Sequence, residues 1–155
     1  MLKRLRKTTF ESTGGRFAIV AAKYNGRYVD AMLRAAKDEL RKAGAAEIKV
    51  IRVPGSFEIP VVAAKLAQAR IPPLSAIICL GVIFQGETNH AQHVGWGVTH
   101  ALAQIQVQHR IPVVHGVFVF EKVQQARVRC LGKKHNRGIE AARTALVMAD
   151  VMRSF

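Results

Sequence analysis

The stretch Gly81 to Val94, G-V-I-F-Q-G-E-T-N-H-A-Q-H-V, narrows the fold more than any other part of the chain. It grows out of the apolar run Ala76-Ile77-Ile78-Cys79-Leu80. A run that short and that rich in Ile reads as a buried strand, over residues 76–82. Gly86 breaks it, and Thr88 and Asn89 can each cap a helix. Apolar positions then recur at Val94, Val98, Ala101, Leu102, Ile105 and Val107. The stretch is therefore strand, glycine turn and helix N-terminus. Unpaired N–H groups and the helix dipole make such an end attractive to anions, phosphate above all. His90 sits in the first turn, where an imidazole can shuttle protons. On these residues alone, a plain strand-to-helix loop with a solvated His is the other reading.

The same alternation runs along the chain. Arg16 to Ala22 is a strand, ended by Tyr24-Asn25-Gly26. From Tyr28, the positions Val29, Met32, Leu33, Ala36, Leu40 and Ala43 step by three and four, a helix stripe closed by Gly44. Glu47 to Val53 is a second strand. Pro54-Gly55 turns the chain, Ser56 can cap the next helix, and Pro60 fits only its first turn. That helix ends near Ala69, and Pro72-Pro73 closes the connection. After the long helix to about His109, Pro112 introduces a fourth strand, Val113 to Val119. Residues 122 to 130 read as a short helix, and 131 to 138 as a basic turn. A last helix carries Ala141, Ala142, Ala145, Leu146, Ala149 and Met152 on one side. This order predicts an α/β fold, a three-layer αβα sandwich with a four-stranded parallel, flavodoxin-like sheet flanked by helices. Ligands bind such sheets beyond the C-terminal strand ends. Tyr24-Asn25, Pro54 to Glu58, Gly81 to His90 and His115 to Phe120 all fall at strand ends or just beyond.

With 155 residues, the chain is long enough for one α/β domain over 16–155, preceded at 1–15 by a basic arm or edge strand. No apolar run approaches the roughly 18 residues of a membrane span. The start, Met1 to Lys7, is basic without a signal peptide's apolar region. Cys79 and Cys130 read as reduced thiols, so the chain is expected to be cytoplasmic. Lys and Arg outnumber Asp and Glu by 24 to 10, a net charge of +14. That charge invites a nucleic-acid reading. Against it, the cations are scattered and the few aromatics do not interleave with them as a stacking platform would.

Several blocks together resemble the lumazine synthase family. They are R-F-A-I-V-A-A-K-Y-N at 16–25, V-P-G-S-F-E-I-P at 53–60, G-V-I-F-Q-G-E-T-N-H at 81–90, P-V-V-H-G-V at 112–117, and R-C-L-G-K-K-H-N-R-G-I-E-A-A at 129–142. The likeness runs in order from residue 16 to the end. It implies an enzyme of riboflavin biosynthesis, a transferase. Such an enzyme joins 5-amino-6-(D-ribitylamino)uracil to 3,4-dihydroxy-2-butanone 4-phosphate and yields 6,7-dimethyl-8-ribityllumazine, phosphate and water. The resemblance implies no metal and no organic cofactor. It implies a homo-oligomer, a pentamer or a multiple of pentamers, with sites shared between adjacent subunits and riboflavin synthase as a candidate partner.

The resemblance also assigns residues. Tyr24 would stack on the pyrimidine, with Asn25 beside it. Ser56, Phe57 and Glu58 would hold the ribityl chain and ring polar groups, and Val82, Ile83 and Phe84 would line the ring site. Gly86, Glu87 and Thr88 would hold the phosphate together with Arg129. His90 would donate and accept protons. Arg137 stands for a lysine usual in the basic turn, and Glu140 matches a family acid.

Departures cluster around the same site. Gln85 stands where an Arg is common, and Ala91-Gln92-His93 replaces an aromatic and an acid. His115 stands where an aromatic covers the pyrimidine, and Val119-Phe120-Glu121 replaces a Thr-rich turn. These put substrate affinity at issue more than fold. The alternatives are a divergent paralogue that binds flavin or a pteridine-like ligand, and a nucleic-acid-binding domain. His90 and His93 could suggest a metal, but no acidic or Cys partner accompanies them locally.

Overall fold

A computed structural model describes residues 14–69 and 71–155. The arm or edge strand expected over 1–15 lies, up to residue 13, outside the described residues. Four strands, β1 (Arg16–Ala22), β2 (Glu47–Val53), β3 (Ala76–Phe84) and β4 (Val113–Phe120), form one parallel sheet in the order β2-β1-β3-β4. Five helices connect and follow them: α1 (Gly26–Lys42), α2 (Ile59–Gln68), α3 (His90–His109), α4 (Val123–Ala126) and α5 (Arg137–Arg153). The architecture is the αβα sandwich that the alternation predicts.

The strands are apolar because helices cover both faces. Ile19, Ile78, Leu80 and Phe17 face one layer, where Val29, Met32 and Leu40 of α1 meet Ala142, Ala145 and Leu146 of α5. Val20, Ile77, Cys79 and Val117 face the other, against Ile59 and Ala63 of α2 and Val98, Leu102 and Ile105 of α3. Each such Ile or Leu, fully buried, contributes roughly 1.5–3 kcal/mol over the exposed state. In α1 the buried positions recur every three or four residues, while Arg41 and Lys42 in its last turn complement the helix dipole.

Several boundaries differ from the sequence expectation. β3 continues two residues beyond 82 and β4 one beyond 119, because they pair side by side through Phe84 and Phe120. Ser56 does not cap α2. It opens a 3₁₀ turn, Ser56–Glu58, in which a Glu58 carboxylate oxygen accepts from the Gly55 N–H at 2.9 Å. The acid reaches back to the N–H ahead of the turn, as the acid of a capping box does. Residues 122–130 are not one helix. α4 gives way to a wider π-type turn, Arg127–Leu131, which Asn136 closes by donating to the Cys130 carbonyl at 2.7 Å.

From β1 the chain turns to β2 on one side, and from β3 it turns to β4 on the other. The two exits leave on opposite faces, through α1 and α3. The crevice between the C-terminal ends of β1 and β3 is thus the topological switch point, the place where open α/β sheets bind ligands.

Candidate active site

A cleft of about 650 Å³ opens at that switch point. Its walls come from three turns that hold one another. The N–H of Lys23 donates to Val53 O at 2.8 Å, and that of Tyr24 to Pro54 O at 2.9 Å. Arg52 braces the same corner: its guanidinium donates to Ala21 O and Ala22 O and pairs with Asp30 of α1 at 2.8 Å. Tyr24 and Asn25 thereby stand on a fixed turn, with Asn25 in the left-handed region at φ 56°.

Nine of the residues singled out from the sequence line this cleft: Tyr24, Asn25, Ser56, Phe57, Glu58, Val82, Ile83, Phe84 and His90. Tyr24 and Phe57 are 66% and 63% exposed, so two aromatic side chains stand open at the rim. Phe84 lies deeper, edge-on to Tyr28 with centroids 5.5 Å apart. Ser56 is buried against Gly81: a Cβ there would sit 2.3 Å from the Ser56 hydroxyl, so only glycine lets the turn dock on β3. The Glu58 carboxylate is partly spent on the Gly55 N–H. His90 is the first residue of α3 and is exposed. The Thr88 hydroxyl accepts from the His90 N–H at 3.4 Å, so Thr88, rather than the Asn89 side chain, serves the helix start.

Three sequence candidates lie beside the cleft rather than in its lining. Gly86, Glu87 and Thr88 form the exposed loop between β3 and α3. Four others gather elsewhere. His115, Arg129, Arg137 and Glu140 line a second cavity of about 470 Å³, along the outer edge of β4 and against α5. The reason is topological. β4 is the edge strand beyond β3, so its side chains and the turn after α4 open on the flank of the molecule.

In that second cavity, Arg137 pairs with Glu140 at 3.3 Å, and Arg129 stays exposed on the π-type turn. His115 is held at both ring nitrogens. The Val117 N–H donates to Nδ1 at 3.3 Å, and Nε2 lies 2.8 Å from the Thr99 hydroxyl of α3. With Nδ1 accepting, the neutral ring carries its proton on Nε2 and donates it to Thr99. Desolvation of the ring pushes its pKa below the usual His value, partly opposed by a backbone hydrogen bond.

The sequence reading missed His93 and Val94 as cleft residues and Thr144 and Met148 as residues of the second cavity. Helix spacing could have found them: His93 and Val94 follow His90 by three and four, and Thr144 and Met148 follow Glu140 by four and eight. Thr99 as the partner of His115 left no such signal. Burial pushes the Cys79 thiol up to about 12 and that of Cys130 up to about 11, the latter against the pull of Arg129 and Arg137. Neither thiol is a nucleophile at neutral pH. Among the described residues, no three His, Cys, Asp or Glu side chains gather to hold a metal. Nor, among them, is any helix long and apolar enough to cross a membrane.

The sequence pattern of one protein family, 6,7-dimethyl-8-ribityllumazine synthase, matches residues 14–153. The chain is 42% identical over 140 residues to the 6,7-dimethyl-8-ribityllumazine synthase of Halorhodospira halophila, an alignment that covers 89% of this chain and 88% of that protein. It is 40% identical over 139 residues to the protein of the same name from Stenotrophomonas maltophilia, covering 88% of each. Against that of Xanthomonas euvesicatoria it is 39% identical over 142 residues, covering 90% of this chain and 91% of the relative. On this likeness, which spans the sheet, both cavities and the β3–α3 loop, the chain belongs to the 6,7-dimethyl-8-ribityllumazine synthase family.

Proposed function

We propose that this chain is a transferase that condenses 5-amino-6-(D-ribitylamino)uracil with 3,4-dihydroxy-2-butanone 4-phosphate. The products are 6,7-dimethyl-8-ribityllumazine, phosphate and water. The observation that carries the reading, beside family membership, is the switch-point cleft: apolar walls, two open rings, and a histidine at a helix N-terminus on its rim. An amine adds to a ketone, phosphate leaves, and the new ring closes. Holding the two substrates in line supplies much of the rate in such a condensation. Tyr24 and Phe57 offer faces for a flat pyrimidine, and Ser56 and Asn25 offer polar groups beside it. The loop Gly86 to Thr88 and Arg129 would hold the phosphate. His90 would move protons during dehydration and elimination. Arg137, braced by Glu140, would support the phosphate side.

The working form is a homo-oligomer, a pentamer or a multiple of it, with each site built by two neighbours. Three features support this. The pyrimidine residues and the group His115, Arg129, Arg137 lie in different cavities of one chain. α3 spans 20 residues without one Asp, Glu, Lys or Arg, yet leaves Trp96 67% and Val107 77% exposed. Among the described residues, the outer edge of β4 carries no neighbour in the sheet. Trp96 of α3 lies beside Val117 and Val119 of β4, so the uncharged helix face and the open strand edge together suit burial against a neighbouring subunit. The buried free thiols suit a reducing compartment, and we read the protein as cytoplasmic.

The test is incubation with both substrates while lumazine fluorescence is followed. The expected result is fluorescence that grows with enzyme concentration and is slowed by roughly one to two powers of ten in His90→Ala, with substrate binding kept. No lumazine from the purified wild type would reject the activity. An unchanged rate in the variant would remove His90 from it.

A further inference from the structure

The loop that would hold the phosphate is shaped by a residue that does not itself reach it. Gln85 follows β3, and its own N–H donates to Phe120 O at 2.8 Å, which anchors its backbone to the end of β4. Its side chain turns back over the loop. Nε2 donates to Thr88 O at 2.8 Å and to Gly86 O at 3.3 Å. Its Oε1 is buried without a partner among the described residues. The opposite amide orientation would set Oε1 against two carbonyl oxygens, acceptor against acceptor, so the orientation with Nε2 toward them is the stable one.

The consequence follows from the planarity of the peptide bond. In a trans peptide the carbonyl of one residue and the N–H of the next point in opposite directions. With the Gly86 and Thr88 carbonyls drawn to Gln85, the N–H groups of Glu87 and Asn89 are turned to the other side. Among the described residues neither N–H meets a hydrogen-bond acceptor. Two backbone donors beside the N-terminus of α3 are thus held open toward one face. Isolated, a loop of this exposure would let those peptides rotate. One side-chain amide bonded to two carbonyls fixes both at once.

We infer that Gln85 is a positioning residue for the anion: it pins the Gly86–Glu87 and Thr88–Asn89 peptides so that their N–H groups face the departing phosphate. This rests on the proposed phosphate site at the β3–α3 loop. Gln85 needs no charge for the task, since a neutral amide can donate to two carbonyls. A carboxylate of the same shape cannot donate and would repel both.

The experiment compares wild type, Gln85→Ala and the isosteric Gln85→Glu, with inorganic phosphate as the probe. Its inhibition constant against the butanone phosphate is measured, together with the KM of each substrate, pyrimidine affinity by calorimetry, and the thermal midpoint. In wild type, phosphate should compete with the butanone phosphate. In Gln85→Ala, the phosphate inhibition constant and the KM of the phosphorylated substrate should both rise roughly five- to tenfold, the size of one lost hydrogen bond, with pyrimidine affinity unchanged. Gln85→Glu should raise them further. Unchanged phosphate constants in both variants would overturn the inference. So would an equal loss for both substrates together with a lowered midpoint, which is the mark of a merely structural role. If phosphate fails to compete in wild type, the loop is not the phosphate site, and the underlying reading falls first.

Discussion

The side-chain amide of Asn25 donates a 2.7 Å hydrogen bond to the backbone carbonyl of Val82. This bond crosses the switch point, tying the turn after β1 to the end of β3. Asn25 also holds a left-handed backbone at φ 56°, a conformation Asn tolerates better than most residues. One residue thus closes the floor of the cleft and shapes its rim.

Asn25→Gly should keep the backbone turn and lose the bond, while Asn25→Ala should lose both. We expect a loss of about 1 kcal/mol for Gly and about 2 kcal/mol for Ala, with weaker pyrimidine binding in each. Urea unfolding and calorimetry with the pyrimidine would check this. Wild-type affinity in both variants would show that the bond does not shape the site.

Gly138, at the start of α5, lies on the backbone of α1. A Cβ there would stand 2.1 Å from the Met32 carbonyl oxygen, a main-chain atom within a helix that cannot step aside. Gly138→Ala should therefore cost roughly 3 kcal/mol or more, or prevent folding. A Cβ at Gly86 would meet nothing within 4 Å, so Gly86→Ala should change stability by about 0.5 kcal/mol or less. Thermal midpoints and soluble yields of the two proteins compare them directly. Equal behaviour would mean that α1 and α5 can separate without penalty.

His115 sets a pH dependence whose sign is determined. Its pKa in the folded chain is lowered, so folding favours the neutral ring. Its stabilising contribution is complete above the unfolded value of about 6.5 and is lost as the pH falls through the lowered folded value. Protonation also places a proton on Nδ1, opposite the Val117 N–H that it accepts from. Between about pH 7.5 and pH 5, wild type should therefore lose more stability than His115→Phe, which cannot titrate. The difference in urea midpoints should shift in favour of His115→Phe as the pH falls. A constant difference would separate His115 from the acid sensitivity.

Shared sites can be tested by complementation. His90→Ala and Arg129→Ala are unfolded separately, mixed in equal amounts and refolded. If each site takes His90 from one chain and Arg129 from its neighbour, random mixing restores both wild-type halves at roughly a quarter of the interfaces. Activity should then exceed the mean of the two variants refolded alone. Mixed oligomers confirmed by native mass spectrometry, with no gain over that mean, would place the whole site within single chains.

The sequence alone determined the sheet and its order of elements. Ala76 to Leu80 can be buried only as a strand between two covered faces, and the three-and-four spacing from Val29 to Leu40 only as a helix stripe. It also determined that Tyr24, the Ser56 turn and the end of β3 converge, because parallel strands bring every C-terminal end to one side. What depends on contacts distant in the chain was settled by tertiary structure. Ser56 looks like a cap in isolation. Its hydroxyl instead packs on Gly81, and the capping falls to Glu58. The resemblance sets His115 where an aromatic covers the pyrimidine, but only the folded chain shows that a threonine from another element, Thr99, holds its Nε2. The division of the site residues between two cavities also escapes local pattern. It follows from the position of β4 at the edge of the sheet, and strand order is a property of pairing between segments, which no spacing within a segment records.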